Sequence, residues 1–439
     1  MKIKRLTKTL VAALLAIPLF SGIANAYELT IPTLDYRTGP YGPNGIPFAN
    51  GYSDYMTMLN ERDGGINDAR INLVACETAY NTKRGVECYE STKGEGESGA
   101  LVYQPLSTGI TYQLIPKSSV DEIPIFSMGY GRTSAANGKI FPWVFNFPAT
   151  YWSQATIFVQ YIAEQEGGMN KLKGKKIALV YHNSAYGKEP IRTLEAAAKK
   201  FGFELMLLPV DHPGQEQKST WLQVRKERPD WVMMWGWGVM NQVAIKEASS
   251  IRFPMNRFLG VWWSGSENDV IPAGKGAHGY LSGAFHAPGD KFPAHDDIKK
   301  YVYDAGKGFG DRDRIGEVLY NRGLVAAMWT SEAIRNAMKI HGTNEVNGKM
   351  VRDGFESLDV DEARLKELGL PGFTIPVKIT CENHEGPGQA AIQQWDANAK
   401  RWNFVTDFYE PLRDITGPLI AEDSAQYAAE NNVTPAKCN

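Results

Sequence analysis

The sequence predicts an α/β protein of two doubly wound units, each a parallel sheet with helices on both faces. Short apolar runs alternate with helical stretches twice, over residues 27–147 and again over 173–283. This alternation is typical of parallel sheets. The chain of 439 residues is also too long for one ordinary core, so we expect two domains.

The first 26 residues have the pattern of a Sec-type signal peptide. Four basic side chains precede the apolar segment 10–20, which is too short to span a bilayer. Ala24 and Ala26 put small residues at the −3 and −1 positions of a cleavage site, so we expect cleavage after Ala26. An amphipathic membrane anchor is the alternative. No cysteine lies near the cut, which argues against lipid anchoring, and we expect an exported, periplasmic protein.

Removal of this leader makes the protein mildly acidic. The formal net charge of the whole chain is −2, and the leader contributes four positive charges and no acid, which leaves about −6. Nucleic acids and anionic membrane surfaces bind basic faces. The composition therefore argues against both as partners.

The four cysteines, Cys76, Cys88, Cys381 and Cys438, predict two disulfides in an oxidising compartment. Three pairings exist. We favour Cys76–Cys88, because a strand end and the first turns of the next helix would lie close together, and Cys381–Cys438 would then hold the C-terminal tail. The alternative, a metal site, lacks the CxxC or His/Cys spacing that zinc sites use.

In the first unit, apolar runs predict strands and amphipathic runs predict helices. The predicted order is strand YELTIPTL, helix PFANGYSDYMTMLNERDGG, strand ARINLVACE, helix TKRGVECYESTKGEGESG, apolar run ALVYQPLSTG, helix ITYQLIPKSSVDE and strand IPIFSMGYG. The Gly/Pro-rich DYRTGPYGPNG lies between the first strand and the first helix, where α/β proteins hold ligands.

The second unit repeats this pattern, and the remaining residues depart from it. The repeat reads strand KKIALVYHNSAYG, helix KEPIRTLEAAAKKFG, strand FELMLLPV, helix STWLQVRKER and strand PDWVMMWGWG. Beyond residue 283 we predict long helices over 298–309 and 319–341, a strand FTIPVKITC, and a hairpin QAAIQQWDANAKRWNFV that turns near 396–400.

Enzyme motifs are weak. DYRTGPYGPNG lacks the Gly-Lys-Ser/Thr ending of a P-loop, and the GxGxxG matches at 94–99 and 274–279 each lead into a strand, so we interpret both as turns. The sequence has no GxSxG elbow and no HExxH. His384 is a weak candidate for a metal ligand or general base, and a solvated turn is the simpler interpretation. Ser264 and Ser266 have no evident base partner.

Residues near the predicted strand ends favour ligand binding. Ser107 and Thr108 lie where a helix should begin, and hydroxyls with free backbone N–H groups suit a carboxylate there; Ser107 as a plain cap is the alternative. The aromatic residues in or beside strand-end loops are Tyr130, Tyr186, Trp235, Trp237, Trp262 and Trp263. Such residues are more often core than ligand wall. However, Trp237 lies between two glycines and Trp262–Trp263 run into SGSEN, which favours a position facing a cleft.

This ordered series resembles the type I periplasmic solute-binding proteins, above all the leucine/isoleucine/valine-binding family of ABC transporters. In that family the first helix ends in an asparagine and a GGI turn, and the next strand ends near a disulfide cysteine. The matching residues here are Asn60, Gly64, Gly65, Ile66 and Cys76. YQPLSTGIT, IPIFSMG, IALVYHNSAYGKE and PDWVMMWGWG follow in the family's order, so the resemblance covers nearly the whole mature chain.

The resemblance implies the periplasmic-binding-protein type I fold. Two Rossmann-like doubly wound lobes would be joined by a hinge of three crossings and close on the ligand. It implies a first lobe of residues 27–148 plus about 285–385, and a second lobe of 149–284 plus about 386–439.

The resemblance also implies ligand contacts in the first lobe. Ser107 and Thr108 would receive the ligand carboxylate. The residues expected beside them are Met128, Gly129 and Tyr130, with Tyr41 at the cleft edge as a lid contact.

In the second lobe, Tyr186 would close over the ligand, and Gly236 and Trp237 would follow one strand later. Trp262, Trp263 and Ser264 fall where amino-acid-binding members keep an acid for the ligand ammonium. The nearest carboxylates in this sequence are those of Glu267 and Asp269.

The function that this resemblance implies is a receptor that delivers a small organic solute to the permease subunits of an ABC importer. We expect a monomer without cofactor or metal and without enzymatic activity. Aromatic walls and the missing acid favour an aromatic or bulky apolar carboxylate; a branched-chain amino acid, an amide, a polyol or a quaternary ammonium ion stays open. A ligand-sensing module of the same fold is the alternative, and an exported hydrolase is less favoured because no nucleophile–base pair is evident.

Overall fold

The computed structural model describes residues 27–438, so the predicted signal peptide lies outside the described residues. Its strands are β1 Glu28–Asp35, β2 Arg70–Glu77, β3 Ile125–Phe126, β4 Val144–Phe145, β5 Lys176–His182, β6 Glu204–Val210, β7 Trp231–Trp235, β8 Phe258–Gly260, β9 Leu281–Ala284, β10 Asp359–Val360, β11 Val377–Lys378, β12 Ala391–Asp396 and β13 Arg401–Phe404.

The helices pack around these strands. They are α1 Gly42–Asp63, α2 Thr82–Thr92, α3 Thr108–Asp121, α4 Tyr151–Glu166, α5 Ala185–Lys188, α6 Ile191–Phe201, α7 Lys218–Glu227, α8 Val239–Ser250, α9 Glu267–Val270, α10 Pro293–Ile298, α11 Val318–His341, α12 Gly348–Glu356, α13 Glu362–Glu367 and α14 Arg413–Asn431. Among residues 27–438, no helix has both the length and the apolar character needed to cross a membrane.

The second lobe is built on a seven-stranded sheet in the order β13-β12-β9-β8-β7-β5-β6. The five strands from β6 to β9 are parallel, and β12 runs antiparallel to both β9 and β13. Every residue of β7 is buried, because helices cover both faces of a parallel sheet. The predicted hairpin near residues 396–400 is confirmed as the β12–β13 pair.

The first lobe has a shorter parallel arrangement. β1 pairs with β2 from Glu28↔Arg70 to Asp35↔Glu77, and β3 pairs with β4. The apolar run 100–103 connects the two pairs, because Leu101 N donates to Thr30 O at 3.0 Å and Tyr103 bridges Ile125 in the parallel sense. Parallel strands place their carboxyl ends on one edge, so the loops after β1, β2 and β3 meet there.

Local signals explain several helix limits. Asn81 caps α2 by accepting from Arg84 N at 3.0 Å, and the Thr150 hydroxyl caps α4. α6 ends at Gly202, whose φ of 76° lies in the left-handed region that glycine adopts without strain. The predicted end of that helix at Gly202 is confirmed.

The order of elements makes the chain cross between the lobes three times: after β4, after β9 and after β11. The residue limits of the lobes stay a prediction. The C-terminal helix α14 contacts both lobes, since Asp423 pairs with Arg132 of the first lobe at 2.5 Å and Glu422 pairs with Arg192 of the second at 2.6 Å. This helix therefore lies across the hinge.

Two disulfides are present, Cys76–Cys88 and Cys381–Cys438, with Cα–Cα distances of 5.7 and 5.6 Å. These are the pairs favoured from the sequence. The second pair holds the tail against the first lobe, where Ala436 N also donates to Lys139 O at 2.7 Å.

Two predicted elements differ from the structure. The long helix predicted over 298–309 is wrong: α10 ends at Ile298 and continues only as a π-helical turn, Lys299–Tyr303. Glycines at 306 and 308 interrupt the helix, and Gly306 has a φ of 70°. The strand predicted for FTIPVKITC forms a ladder only at Val377–Lys378, opposite β10.

Candidate ligand-binding cleft

Aromatic side chains of the two lobes contact each other where the lobes face. The Trp263 ring lies against the Tyr130 ring with centroids 4.4 Å apart, and Trp237 meets Trp263 edge-on at 5.6 Å. Trp237 follows β7 and Trp263 follows β8, so adjacent parallel strands bring the two indoles together. All three side chains are buried. The predicted position between the lobes agrees with this geometry, whereas contact with a ligand stays a prediction.

The carbonyl of Gly129 holds both tryptophans that follow β8. The indole Nε1 of Trp262 donates to Gly129 O at 3.1 Å, and that of Trp263 donates to the same oxygen at 3.2 Å. Gly129 has a φ of 63°, and a Cβ there would lie 3.1 Å from the Trp262 ring. Glycine alone suits both the backbone and the close approach. Trp262 also stacks on Tyr151, with centroids 5.7 Å apart.

Ser107 is the N-cap of α3, and its Oγ accepts from Ile110 N at 3.4 Å. The alternative of a cap is therefore confirmed, and a carboxylate contact stays a prediction. Thr108 Oγ1 accepts from Gly131 N at 3.3 Å, which places it beside the loop that follows β3. Met128 in that loop is fully buried.

Three of the residues predicted in the second lobe meet at one carbonyl. The Tyr186 hydroxyl donates to Gly236 O at 2.8 Å, and the Ser264 hydroxyl donates to the same oxygen at 2.7 Å. These hydrogen bonds connect the loops after β5, β7 and β8. Gly236 immediately precedes Trp237, so the loop that carries this tryptophan is held at its first residue.

Tyr41 connects the lobes. Its hydroxyl is hydrogen-bonded to His182 Nε2 at 2.8 Å and to His212 Nδ1, and both histidines belong to the second lobe. Burial lowers the pKa of His182 to about 4, so this histidine is neutral at pH 7. The structure places Tyr41 as a contact between lobes, and its contact with a ligand remains a prediction.

The two carboxyl groups that follow the tryptophans in the sequence, those of Glu267 and Asp269, already accept hydrogen bonds from the protein. Asp269 Oδ1 accepts from the side-chain amides of Asn44 at 3.2 Å and Asn241 at 3.0 Å, and its Oδ2 accepts two bonds from the N-cap residue of α9. Burial raises the pKa of Asp269 to about 6. Glu267 Oε2 accepts from Val318 N at 3.0 Å at the start of α11, and burial raises the pKa of Glu267 to about 8.

Sequence reasoning missed two tyrosines of the first lobe. Tyr36 follows β1 directly and Tyr80 lies just beyond β2; their rings are 5.0 Å apart, and Tyr36 meets Trp237 edge-on at 6.2 Å. Applying the strand-end rule to β1 and β2 would have found both.

It also missed Arg322 in the first turns of α11, which is 0% exposed. Its Nε donates to His286 Nε2 at 2.8 Å and its Nη1 donates to Trp262 O at 2.9 Å. The guanidinium lies 4.9 Å from the centre of the Trp263 ring and 4.2 Å from that of Phe285. The available signal was a lone basic residue in the apolar stretch NRGLVAAMW, because arginine is seldom fully buried.

The solvated turn proposed around His384 is wrong, because the imidazole is fully buried. It stacks on Phe145 at 4.2 Å, and its Nδ1 donates to Val144 O at 2.7 Å. Apolar packing of this kind makes His384 part of the first-lobe core. In the part of the chain that the structure describes, no group of three or more His, Cys, Asp or Glu side chains is placed to hold a metal ion.

The family of periplasmic binding proteins matches residues 28–400 of the chain. The chain belongs to this family. The predicted resemblance is thus confirmed, and with it the type I fold. None of the curated protein sequences compared with it matches.

Solved structures resemble this periplasmic binding protein over most of its length. A protein from the Pseudomonas fluorescens group, described as an ABC transporter permease, is 40% identical with a TM-score of 0.86, covering 94% of this chain and 99% of the other. A Thermus thermophilus branched-chain amino acid ABC transporter protein with bound valine is 20% identical with a TM-score of 0.75, covering 89% and 99%. An R. palustris ABC transporter solute-binding protein in complex with benzoate is 16% identical with a TM-score of 0.67, covering 88% and 97%.

Membership of the family makes the protein a solute-binding receptor. At 20% identity or less, the likeness to the last two structures concerns the fold alone.

Proposed function

We propose that this protein is the periplasmic receptor of an ABC importer and binds an aromatic or bulky apolar carboxylate between its lobes. The observation that carries the proposal is the meeting of Tyr130 from the first lobe with Trp237 and Trp263 from the second. Flat apolar walls on both sides of a closing cleft suit a ligand with a flat or bulky apolar body.

The residues proposed to contact this solute are those named from the sequence: Tyr41, Ser107, Thr108, Met128, Gly129, Tyr130, Tyr186, Gly236, Trp237, Trp262, Trp263 and Ser264. They converge from the strand ends of both lobes, where ligands bind in open α/β sheets. The partners are the permease subunits in the membrane, and the receptor acts as a monomer.

Two proteins that share the fold of this chain hold a small ligand with a carboxylate group. The R. palustris protein holds benzoate, an aromatic carboxylate, and the T. thermophilus protein holds valine. In this chain the carboxyl groups of Glu267 and Asp269 are engaged in hydrogen bonds to the protein, which disfavours an α-amino acid. A branched-chain amino acid or an amide is therefore the second choice.

A modest set of contacts provides the required affinity. Micromolar binding needs about 8 kcal/mol. An aromatic body that buries about 200 Å² contributes about 5 kcal/mol of this at 25 cal/mol per Å², and charge-assisted hydrogen bonds at the carboxylate add to it.

The test is mass spectrometry of small molecules released when freshly purified protein is denatured, followed by calorimetry on refolded, ligand-free protein. We expect one aromatic or branched carboxylate that binds near one to one and is returned chemically unchanged. Binding of no acid, amino acid, amide or amine from a broad panel would contradict the receptor function. Conversion of a bound compound would show an enzyme instead.

A further inference from the structure

Arg322 carries a positive charge that no acidic group of the described residues neutralises. Its partners are the His286 ring, the Trp262 carbonyl and the faces of Trp263 and Phe285. Within residues 27–438 no carboxylate oxygen lies within 4 Å of its guanidinium nitrogens. Burial lowers the pKa of Arg322 to about 9, which still leaves it charged at pH 7.

His286 accepts from Arg322 as a neutral base. Its Nδ1 lies 3.1 Å from Ala287 O, a carbonyl that can only accept, so Nδ1 carries the proton and Nε2 is the acceptor for Arg322. Burial and the nearby arginine hold the pKa of His286 well below its usual range. The imidazole therefore orients the guanidinium without offsetting its charge.

One nitrogen of the guanidinium remains available. Nη2 of Arg322 is buried and has no hydrogen-bond partner among the described residues. The hydroxyls of Tyr130 and Tyr151 are also buried without a hydrogen-bond partner among the described residues. Tyr130 packs on Trp263, as Arg322 does, and Tyr151 stacks on Trp262, whose carbonyl accepts from Arg322. Three buried polar groups at the aromatic contact between the lobes thus lack partners, although buried polar groups are almost always paired.

Burying the charge of Arg322 without a counter-ion destabilises the protein when no ligand is bound. Taking an ion out of water is unfavourable unless a counter-ion and hydrogen bonds compensate it. A guanidinium matches the two oxygens of a carboxylate better than any other side chain does. The unpartnered hydroxyls of Tyr130 and Tyr151 can also donate to the oxygens of a carboxylate.

We propose that Arg322 pairs with the carboxylate of the solute, assisted by the Tyr130 and Tyr151 hydroxyls, and that the solute carries no α-ammonium group. This assignment rests on the proposed receptor function and makes its ligand class narrower. In this assignment the solute carboxylate binds near the start of α11. The sequence had predicted that it binds at the start of α3, where Ser107 serves as a cap. An ammonium group would find Arg322 repulsive and Asp269 already holding four hydrogen bonds.

The test is calorimetry on refolded, ligand-free protein with two matched series. One is 3-phenylpropanoate, 3-phenylpropanamide and L-phenylalanine; the other is 4-methylpentanoate, 4-methylpentanamide and L-leucine. Each series keeps the apolar body and changes only the polar end. For the wild type we expect the acid to bind at least about tenfold more tightly than its amide or its amino acid.

Three variants separate charge recognition from structure. Arg322→Met should weaken binding of the acid by about 100-fold while the amide changes by less than about threefold. Arg322→Lys keeps the charge and should retain the preference for the acid over the amide. Arg335→Met makes the same change on the same helix at a partly exposed residue that pairs with Glu332, and should leave both affinities unchanged.

The other outcomes are distinct. Equal losses for acid and amide in Arg322→Met, or an amino acid that binds as tightly as its acid in the wild type, would overturn the role of Arg322 and leave the receptor function standing. If wild-type protein binds no member of either series and releases no solute on denaturation, the receptor function fails together with this assignment.

Discussion

At the scale of single residues, the aromatic walls depend on side chains that face each other across the cleft. Trp237 and Trp263 are 5.6 Å apart, and Trp263 reaches Tyr130 of the other lobe at 4.4 Å. Trp237 lies in the loop after β7, and Trp263 lies in a short 3-10 helical turn, Trp262–Ser264, after β8. Both side chains are buried, so their replacement also costs stability, and affinity is measured on variants that are shown to be folded.

We expect Trp237→Ala and Trp263→Ala each to weaken solute binding by tenfold or more, since each removes a large apolar surface worth over about 1.4 kcal/mol. Calorimetry with the solute released from the purified protein measures this. The control is Trp402→Ala on β13, a buried aromatic residue that packs on Trp395 away from the cleft and should lower stability without changing affinity. If both cleft variants bind the solute as tightly as the wild type does, Trp237 and Trp263 are not part of the binding site.

The burial of His384 should make the stability of the protein depend on pH. Burial lowers its pKa to about 4, whereas an unfolded histidine titrates near about 6.5. Between these values the unfolded chain binds a proton that the folded protein does not, so the free energy of unfolding falls as the pH is lowered, by about 3 kcal/mol from this group. Above about pH 6.5 the contribution is complete.

Chemical denaturation of wild type and His384→Gln across pH 4 to 7 tests this, because the difference between the two cancels the other titrating groups. The stability advantage of the wild type should shrink as the pH falls from about 6.5 to about 4. A constant difference over that range would mean that His384 is protonated alike in both states.

At the scale of elements, helix α14 is attached to the first lobe at several points. Asp423 pairs with Arg132, whose guanidinium also lies 4.8 Å from the Tyr427 ring, and Ser424 donates to Ser134 O. The Cys381–Cys438 disulfide then fixes the tail seven residues beyond the end of the helix. The helix and the disulfide act as one attachment.

Replacing both Cys381 and Cys438 by alanine should lower the free energy of unfolding by about 4 kcal/mol, because the disulfide closes a segment of 57 residues. Urea denaturation measures the loss, and hydrogen exchange should show faster exchange in α14. The matched change at Cys76 and Cys88, 12 residues apart, should cost about 3 kcal/mol and leave α14 protected. Unchanged exchange in α14 after removal of the Cys381–Cys438 disulfide would contradict this role.

At the scale of the whole molecule, three polar clusters connect the two lobes. Tyr41 bonds to His182 and His212, Asn44 bonds to Asp269, and Glu189 of the second lobe accepts from Tyr112 and from Thr133 at 2.8 Å. Because these bonds join the two lobes, separating the lobes breaks them. The affinity for a solute therefore includes their contribution to closure.

We expect Tyr41→Phe to weaken solute binding by about tenfold, chiefly through faster dissociation, because the closed form loses two hydrogen bonds of about 1 kcal/mol each. Stopped-flow dissociation kinetics measures the effect. Tyr89→Phe removes a hydroxyl that bonds to Asp121 inside the first lobe and serves as the control. An unchanged dissociation rate in Tyr41→Phe would show that this cluster does not hold the cleft closed.

The elements that could be predicted are those with local signals. The parallel strands of the seven-stranded sheet are mostly apolar runs, and α6 carries its own end signal in Gly202. Cys76 and Cys88 are close in sequence as well as in space. The prediction of a helix over 298–309 failed because the low helix propensity of two glycines outweighs a helical pattern of apolar residues.

The candidate site could be predicted only in part. The strand-end rule placed Trp237, Trp262 and Trp263 at the correct edge, because parallel strands fix where their following loops lie. His384 was misjudged because a turn between two glutamates has the composition of a surface loop whether or not the fold buries it.

The sequence by itself determined the fold class, the order of elements and the aromatic character of the cleft, since each depends on residue patterns within about 20 positions. Only the tertiary structure showed that the cationic side chain of Arg322 is buried beside the aromatic residues. Arg322, His286 and Tyr130 come from distant parts of the chain, and the cost of a buried charge depends on every group packed around it. The local sequence Asn321-Arg322-Gly323 does not show whether water or tryptophan side chains surround the arginine.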